Sequence, residues 1–111
     1  MTHSTEALVK SCKDPVVFDE AIKLIGDFWT LRIVDAIRED EVRFCEIERR
    51  MLDINPATLT GRLKKLEDAQ MIDRRVETLD RQSVSYVLTE RGRRILPVLE
   101  SIKEFTNSDS V

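Results

Sequence analysis

Histidine is nearly missing. The 111-residue chain has one, His3, alongside two cysteines, three glycines and three prolines. A single imidazole in a polar N-terminal stretch allows neither a Ser-His-acid arrangement nor a Cys/His set for zinc. The three glycines are scattered and form no phosphate-cradling loop. The carboxylates fall as surface pairs along helices, not as a facing couple. The chain is therefore expected to be no enzyme and to hold no metal and no cofactor. Cys12 and Cys45 are too few and too ordinarily spaced for a disulfide framework. Six aromatics, mostly within core stripes, give no platform for stacking single-stranded bases. No apolar run approaches the roughly 20 residues of a membrane helix, and the N-terminus lacks the apolar stretch of a signal peptide. A cytoplasmic protein without a membrane partner is the expectation. An excess of positive charge is lacking too, since 18 basic against 21 acidic residues leave a net charge of −3.

What is present is one domain's worth of chain, with charge unevenly spread. Residues 1–40 carry 5 basic and 8 acidic side chains, whereas 41–94 carry 12 and 10. Phosphate binding responds to a local basic stripe more than to the total, so this distribution permits nucleic acid without requiring it.

Residues 1–14 read as a tail or an extra helix. Asp14 and Pro15 suit a helix start, followed by an apolar stripe of Val17, Ala21, Ile22, Leu24 and Ile25 that Gly26 interrupts. A second helix, from Phe28 and Trp29 to Ile37, is apolar enough to be central, and residues 38–41 close it with a solvated turn. Phe44, Ile47, Met51 and Leu52 set a short third helix. Asn55 and Pro56 open a fourth, whose Leu59, Leu63 and Leu66 lie at i, i+4 and i+7. Alternation over 71–78 and 83–88, with Val84, Tyr86 and Leu88 on one side, predicts a β-hairpin with a polar tip at 79–82. Thr89 can cap a last helix reaching about Phe105, striped by Ile95, Leu96, Leu99, Ile102 and Phe105. Pro97 should kink that helix or mark an early irregularity. Residues 106–111 read as a tail.

The order helix, helix, helix, helix, hairpin, helix predicts a mainly α fold with a small β-hairpin. It is a winged helix-turn-helix domain over 15–105 that includes the terminal helix. In such a unit the leucines anchor the fourth helix, small residues let a duplex approach, and donors reach bases and phosphates. Ala57, Thr58, Thr60 and Gly61 supply the small residues, and Arg62, Lys64 and Lys65 the donors. Gly61 inside a helix costs about 1 kcal/mol against alanine, which asks for an approach or packing reason. Arg74, Arg75, Arg81 and Gln82 add donors on or near the wing, diluted by Asp73, Glu77 and Asp80. The plainer reading of Arg62, Lys64 and Lys65 is a solvated face paired with Glu67 and Asp68.

The chain also resembles a family, the HxlR type of MarR-like winged helices. Its pattern runs I-G-G-K-W-T-L-x-I-L, R-F-x-E-L, I-S-P-x-T-L-S-x-R-L-x-x-L-E, R-x-V and V-x-Y-x-L-T-x-x-G. Here stand Ile25-Gly26-Asp27-Phe28-Trp29-Thr30-Leu31-Arg32-Ile33-Val34, then Arg43-Phe44-Cys45-Glu46-Ile47. Ile54-Asn55-Pro56-Ala57-Thr58-Leu59-Thr60-Gly61-Arg62-Leu63-Lys64-Lys65-Leu66-Glu67 follows, and then Val84-Ser85-Tyr86-Val87-Leu88-Thr89-Glu90-Arg91-Gly92. The resemblance covers about 15–105. It implies a homodimer on double-stranded operator DNA, often as a repressor, with an inverted-repeat operator. It places the dimer interface on the terminal helices, Ile95, Leu96, Leu99, Ile102 and Phe105 among them. It places DNA contacts at Ala57, Thr58, Thr60, Gly61 and Arg62, to which Arg43 and the lysines and wing residues above are joined. The family's wing often has arginine where Ser83 stands, so Arg81 and Gln82 are the substitutes.

Family members that sense oxidants or electrophiles use a cysteine just before the first core helix. That position is Val16 here, with Cys12 four residues earlier. Cys45, near a helix start with Arg49 four residues on, is the second redox candidate. The sharper reading is an oxidant or small-molecule effector acting through Cys12, bridging to Cys45 of the other subunit. The plainer one makes Cys12 incidental and Cys45 a small buried filler. A winged helix that binds another protein is the rival to DNA binding, favoured by the acidic balance.

Overall fold

The structure, a computed structural model, describes residues 14–77 and 80–109. Side-chain caps mark four helix starts. Asp14 accepts from the Val16 amide at 2.9 Å and opens α1 (Pro15–Ile25). Asp27 accepts from the Thr30 amide at 3.1 Å and opens α2 (Phe28–Ile37). After β1 (Val42–Arg43) and α3 (Phe44–Met51), Asn55 accepts from the Thr58 amide at 3.0 Å. Pro56, which has no amide to satisfy, then begins α4 (Pro56–Asp68). β2 (Ile72–Glu77) and β3 (Asp80–Leu88) follow, and Thr89 caps α5 (Glu90–Arg93) before α6 (Leu96–Asp109).

The hairpin belongs to a three-stranded antiparallel sheet in the order β1-β3-β2, with Val42 opposite Tyr86 and Ile72 opposite Leu88. Two residues are too few to show alternation, so β1 has no signal in the sequence. β3 begins at Asp80, which already pairs with Glu77 after a register shift beside Val76. The expected tip at 79–82 is therefore shorter, because the irregularity re-seats the ladder and lets pairing continue outward.

α2 is the central helix. Ile33, Val34 and Ile37 are fully buried against Ile47 of α3, the three leucines of α4, and Ile72 and Leu88 of the sheet. α1 has no buried residue, and of its expected stripe only Leu24 and Ile25 pack on the core, while Val17 and Ile22 are exposed. Phe28 likewise lies outside the core. It meets the Trp29 ring edge-on at 4.9 Å, under the Arg32 guanidinium at 5.1 Å.

The last helix is two. α5 ends in tight turns, the Ile95 amide reaching Gly92 O at 3.1 Å, and Pro97 sits in the first turn of α6, where a missing amide does no harm. α6 continues through Asp109, past the expected end at Phe105. The single Thr106 hydroxyl proton is shared between the Ile102 and Lys103 carbonyls, at 3.2 and 2.8 Å, so its donor is satisfied inside the helix. The terminal stripe divides as well. Ile95 and Leu99 are buried in the chain's own core and Leu96 is half-buried, leaving Ile102 and Phe105 exposed.

The start of α5 is bolted to the turn that follows α4. The Thr89 hydroxyl donates to Gln70 O at 2.7 Å, and its amide donates to Met71 O at 3.0 Å. Gly92 lies so close that a Cβ there would stand 2.1 Å from Met71 O.

Candidate nucleic-acid interface

α3 and α4 form the helix-turn-helix. Leu59, Leu63 and Leu66 are buried, so the opposite side of α4 must face outward. Ala57, Thr60, Gly61, Lys64 and Lys65 are exposed there, while Thr58 is half-buried with its amide in the Asn55 cap. Nothing in the chain lies within 4 Å of where a Gly61 Cβ would stand. Packing within the chain therefore gives no reason for glycine at that position.

The basic residues are held differently from one another. Lys64 pairs with Asp68 at 3.3 Å, as the plain solvated-face reading expects. Lys65 has no ion pair among the described residues. It borders a groove of about 710 Å³ between α1 and the end of α4, floored by Val17 and Leu24 and edged by Arg91. Arg62 is half-buried, its Nε 3.2 Å from Asp27 Oδ2 at the head of α2. That link crosses between elements distant in sequence, and only the D-x-x-T capping pattern at Asp27 hinted at a fixed carboxylate there.

On the sheet, register places Arg43 and Arg75 on either side of Ser85, so the three lie in a row across β1, β3 and β2. Glu41 joins this row. It accepts from the Ser85 hydroxyl at 2.5 Å and from Arg75 Nη1 at 3.0 Å. The Ser85 bond first, and then Arg75, hold the Glu41 carboxyl below the ordinary range despite some desolvation. Arg74, paired across to Tyr86, is exposed, and neither it nor Arg43 has an ion pair among the described residues. Arg81 and Gln82 lie on β3, but their side chains are outside the described set. The smooth basic face that would join Arg62, Lys65 and Arg75 is thus interrupted by carboxylates at Asp27 and Glu41.

Cys12 lies outside the described residues. Cys45 is a free thiol, exposed in the first turn of α3, so the buried-filler reading does not hold. Ile47 and Met51 take the core positions of that helix, which leaves Cys45 on its outer side. Arg49 does not attend the thiol. It pairs with Glu46.

Among the described residues no group of histidine, cysteine and carboxylate could hold a metal ion, and no helix is long and apolar enough to cross a membrane.

Residues 24–110 match the model of the HxlR-like helix-turn-helix family. The chain belongs to this HxlR-like family. It is 33% identical over 85 residues to an HTH-type transcriptional regulator of Methanothermobacter thermautotrophicus, covering 77% of this chain and 65% of that protein. Its match thus spans just under two thirds of that relative's length. A second HTH-type regulator, from Halalkalibacterium halodurans, is 33% identical over 98 residues, 87% of this chain and 86% of its own. Among solved structures, the redox regulator HypR in its reduced form superimposes with a TM-score of 0.76 at 28% identity, over 84% of this chain and 92% of that one. This HxlR-like chain is a transcriptional regulator built on a winged helix-turn-helix, with α4 in the position of the recognition helix and the β2–β3 hairpin as the wing.

Proposed function

We propose that the protein acts in the cytoplasm as a homodimer that represses transcription by binding an inverted-repeat operator. The two copies of α4 enter successive major grooves about 34 Å apart. The observation that carries this reading is the outer face of α4, where Ala57, Thr60 and Gly61 leave the backbone open while three buried leucines fix the helix from behind. Its work on this reading is binding and not catalysis. The dimer is supported by apolar side chains left exposed at both ends of the chain, Val16 and Phe18 on α1 with Ile102 and Phe105 on α6. Arg62→Ala should weaken operator binding and relax base preference by about 1–3 kcal/mol.

Control by an oxidant is supported by the exposed Cys45 thiol and by the likeness to a redox regulator. On this reading oxidation joins Cys12 of one subunit to Cys45 of the other.

The test is selection of genomic DNA fragments by the purified protein, with and without diamide. An inverted repeat whose recovery changes with diamide supports both parts. A repeat indifferent to diamide, with unchanged mobility on a non-reducing gel, removes the thiol switch alone. No enrichment under either condition favours the protein-binding winged helix, which the carboxylates beside Arg62 and Arg75 also favour.

A further inference from the structure

At the head of α2 one carboxylate oxygen serves two elements. Asp27 Oδ2 accepts from the amide of Thr30 at 3.1 Å and from its hydroxyl at 3.0 Å, and it stands 3.2 Å from Arg62 Nε on α4. Thr30 is fully buried, so it fixes the carboxylate, and the carboxylate in turn fixes the guanidinium. Arg62 Nε is closed off from solvent and meets Asp27 off the line of a good hydrogen bond, which makes the contact an ion pair. The two terminal nitrogens of Arg62 are not closed off as Nε is, and they make no hydrogen bond among the described residues. They are the fork that matches a guanine edge or a phosphate.

We propose that Asp27 is a positioning residue for base readout. It holds Arg62 by Nε so that the terminal nitrogens are presented to the duplex in one orientation. The assignment rests on the DNA-binding reading above. A free arginine on a helix surface gives up rotamer freedom when it binds, and a held one gives up less. A held fork also cannot swing to a second acceptor when the base is wrong. Both effects favour discrimination. The carboxylate itself faces a polyanion and lowers affinity for every sequence alike. Asp27 therefore raises selectivity while lowering overall attraction, and neither a strut between two helices nor a bare negative charge does both.

Asp27→Asn separates these effects, because asparagine caps a helix as well as aspartate does and lacks the charge. Wild type, Asp27→Asn, Arg62→Ala and the double variant are put through selection from a random-sequence duplex library, with thermal melts alongside. In Asp27→Asn, with a melting point near wild type, discrimination should fall about two- to tenfold at the base positions that Arg62→Ala flattens. The other positions should hold, non-specific affinity should rise, and the double variant should match Arg62→Ala in its base profile. An unchanged base profile with only a uniform shift in affinity overturns the assignment, as does a change spread over positions Arg62 does not govern. Should Asp27→Asn melt early, Asp27→Ser keeps the cap without the carboxylate and gives the same comparison. A wild type that enriches no sequence overturns the DNA-binding reading, and the assignment falls with it. Enrichment by wild type with no effect of either Asp27 variant overturns the assignment alone.

Discussion

Two glycines within helices sit in opposite surroundings, and substituting each with alanine should move stability in opposite directions. At Gly61 a methyl group meets open space on the outer face of α4. Gly61→Ala should raise stability by about 0.5–1 kcal/mol, since alanine loses less backbone freedom on folding. The same methyl stands where a duplex would approach, so operator affinity should fall as the melting temperature rises. A thermal melt and a DNA titration on one preparation check both. At Gly92 the added Cβ would stand 2.1 Å from Met71 O, a backbone atom that cannot swing aside. Gly92→Ala should cost about 1–3 kcal/mol, the range for forcing extra volume into a packed site, read as a lower urea midpoint. Neither outcome follows from the residue type. At Gly61 the sequence permits an approach or a packing reason, and the structure removes packing within the chain.

At the scale of elements, Glu41 ties the sheet together through Ser85 on β3 and Arg75 on β2. Its carboxyl lies below the ordinary range in the folded state, so its contribution is present above the unfolded value of about 4.3 and is lost as pH falls through the folded one. Asp53, held low chiefly by its hydrogen bond from Arg32, follows the same rule in the turn between α3 and α4. Urea midpoints from pH 6 to pH 3 should decline, and Glu41→Gln should flatten part of that decline. A slope unchanged in Glu41→Gln would deny the carboxylate this role. α4 was readable in advance because its signals are local: a cap, a proline, and leucines at helical spacing. The thiol's exposure, the strand β1 and the couplings of Asp27 to Arg62 and Glu41 to Arg75 were not readable. A two-residue strand has no period, and pairs between elements depend on how those elements pack. The break between α5 and α6 was partly visible through Pro97, although its position at residues 94–95 lies at the tight turns in which the Arg94 and Ile95 amides reach back to Arg91 and Gly92.

For the whole molecule, α1 shows exposed Val16, Phe18 and Ile22, and α6 shows exposed Ile102 and Phe105. Periodic stripes in the sequence mark such helices as amphipathic without saying whether their own chain or a second copy covers them. Ile95 and Leu99 are already covered within the chain, which narrows the proposed interface to the outer half of α6. Ile102→Glu with Phe105→Glu should give a folded monomer by light scattering, because neither side chain belongs to the core. Operator affinity should drop by about a hundredfold or more, as two linked half-site contacts become independent. A double variant that remains dimeric would place the interface elsewhere.

The contact of Gly92 with Met71 is also a matter of gearing. α4 has 13 residues and is about 20 Å long, and its far end carries Ala57. If the domain swings by about 5° around that joint, the reading end travels about 1.7 Å, simple leverage over the helix length. Hydrogen bonds to base edges tolerate a few tenths of an ångström. In the proposed twofold pair both ends would swing, and the separation of the two α4 helices would change by up to twice that travel. A small rotation of α5 against Met71 would thus reach the far end of α4 enlarged by the length of that helix.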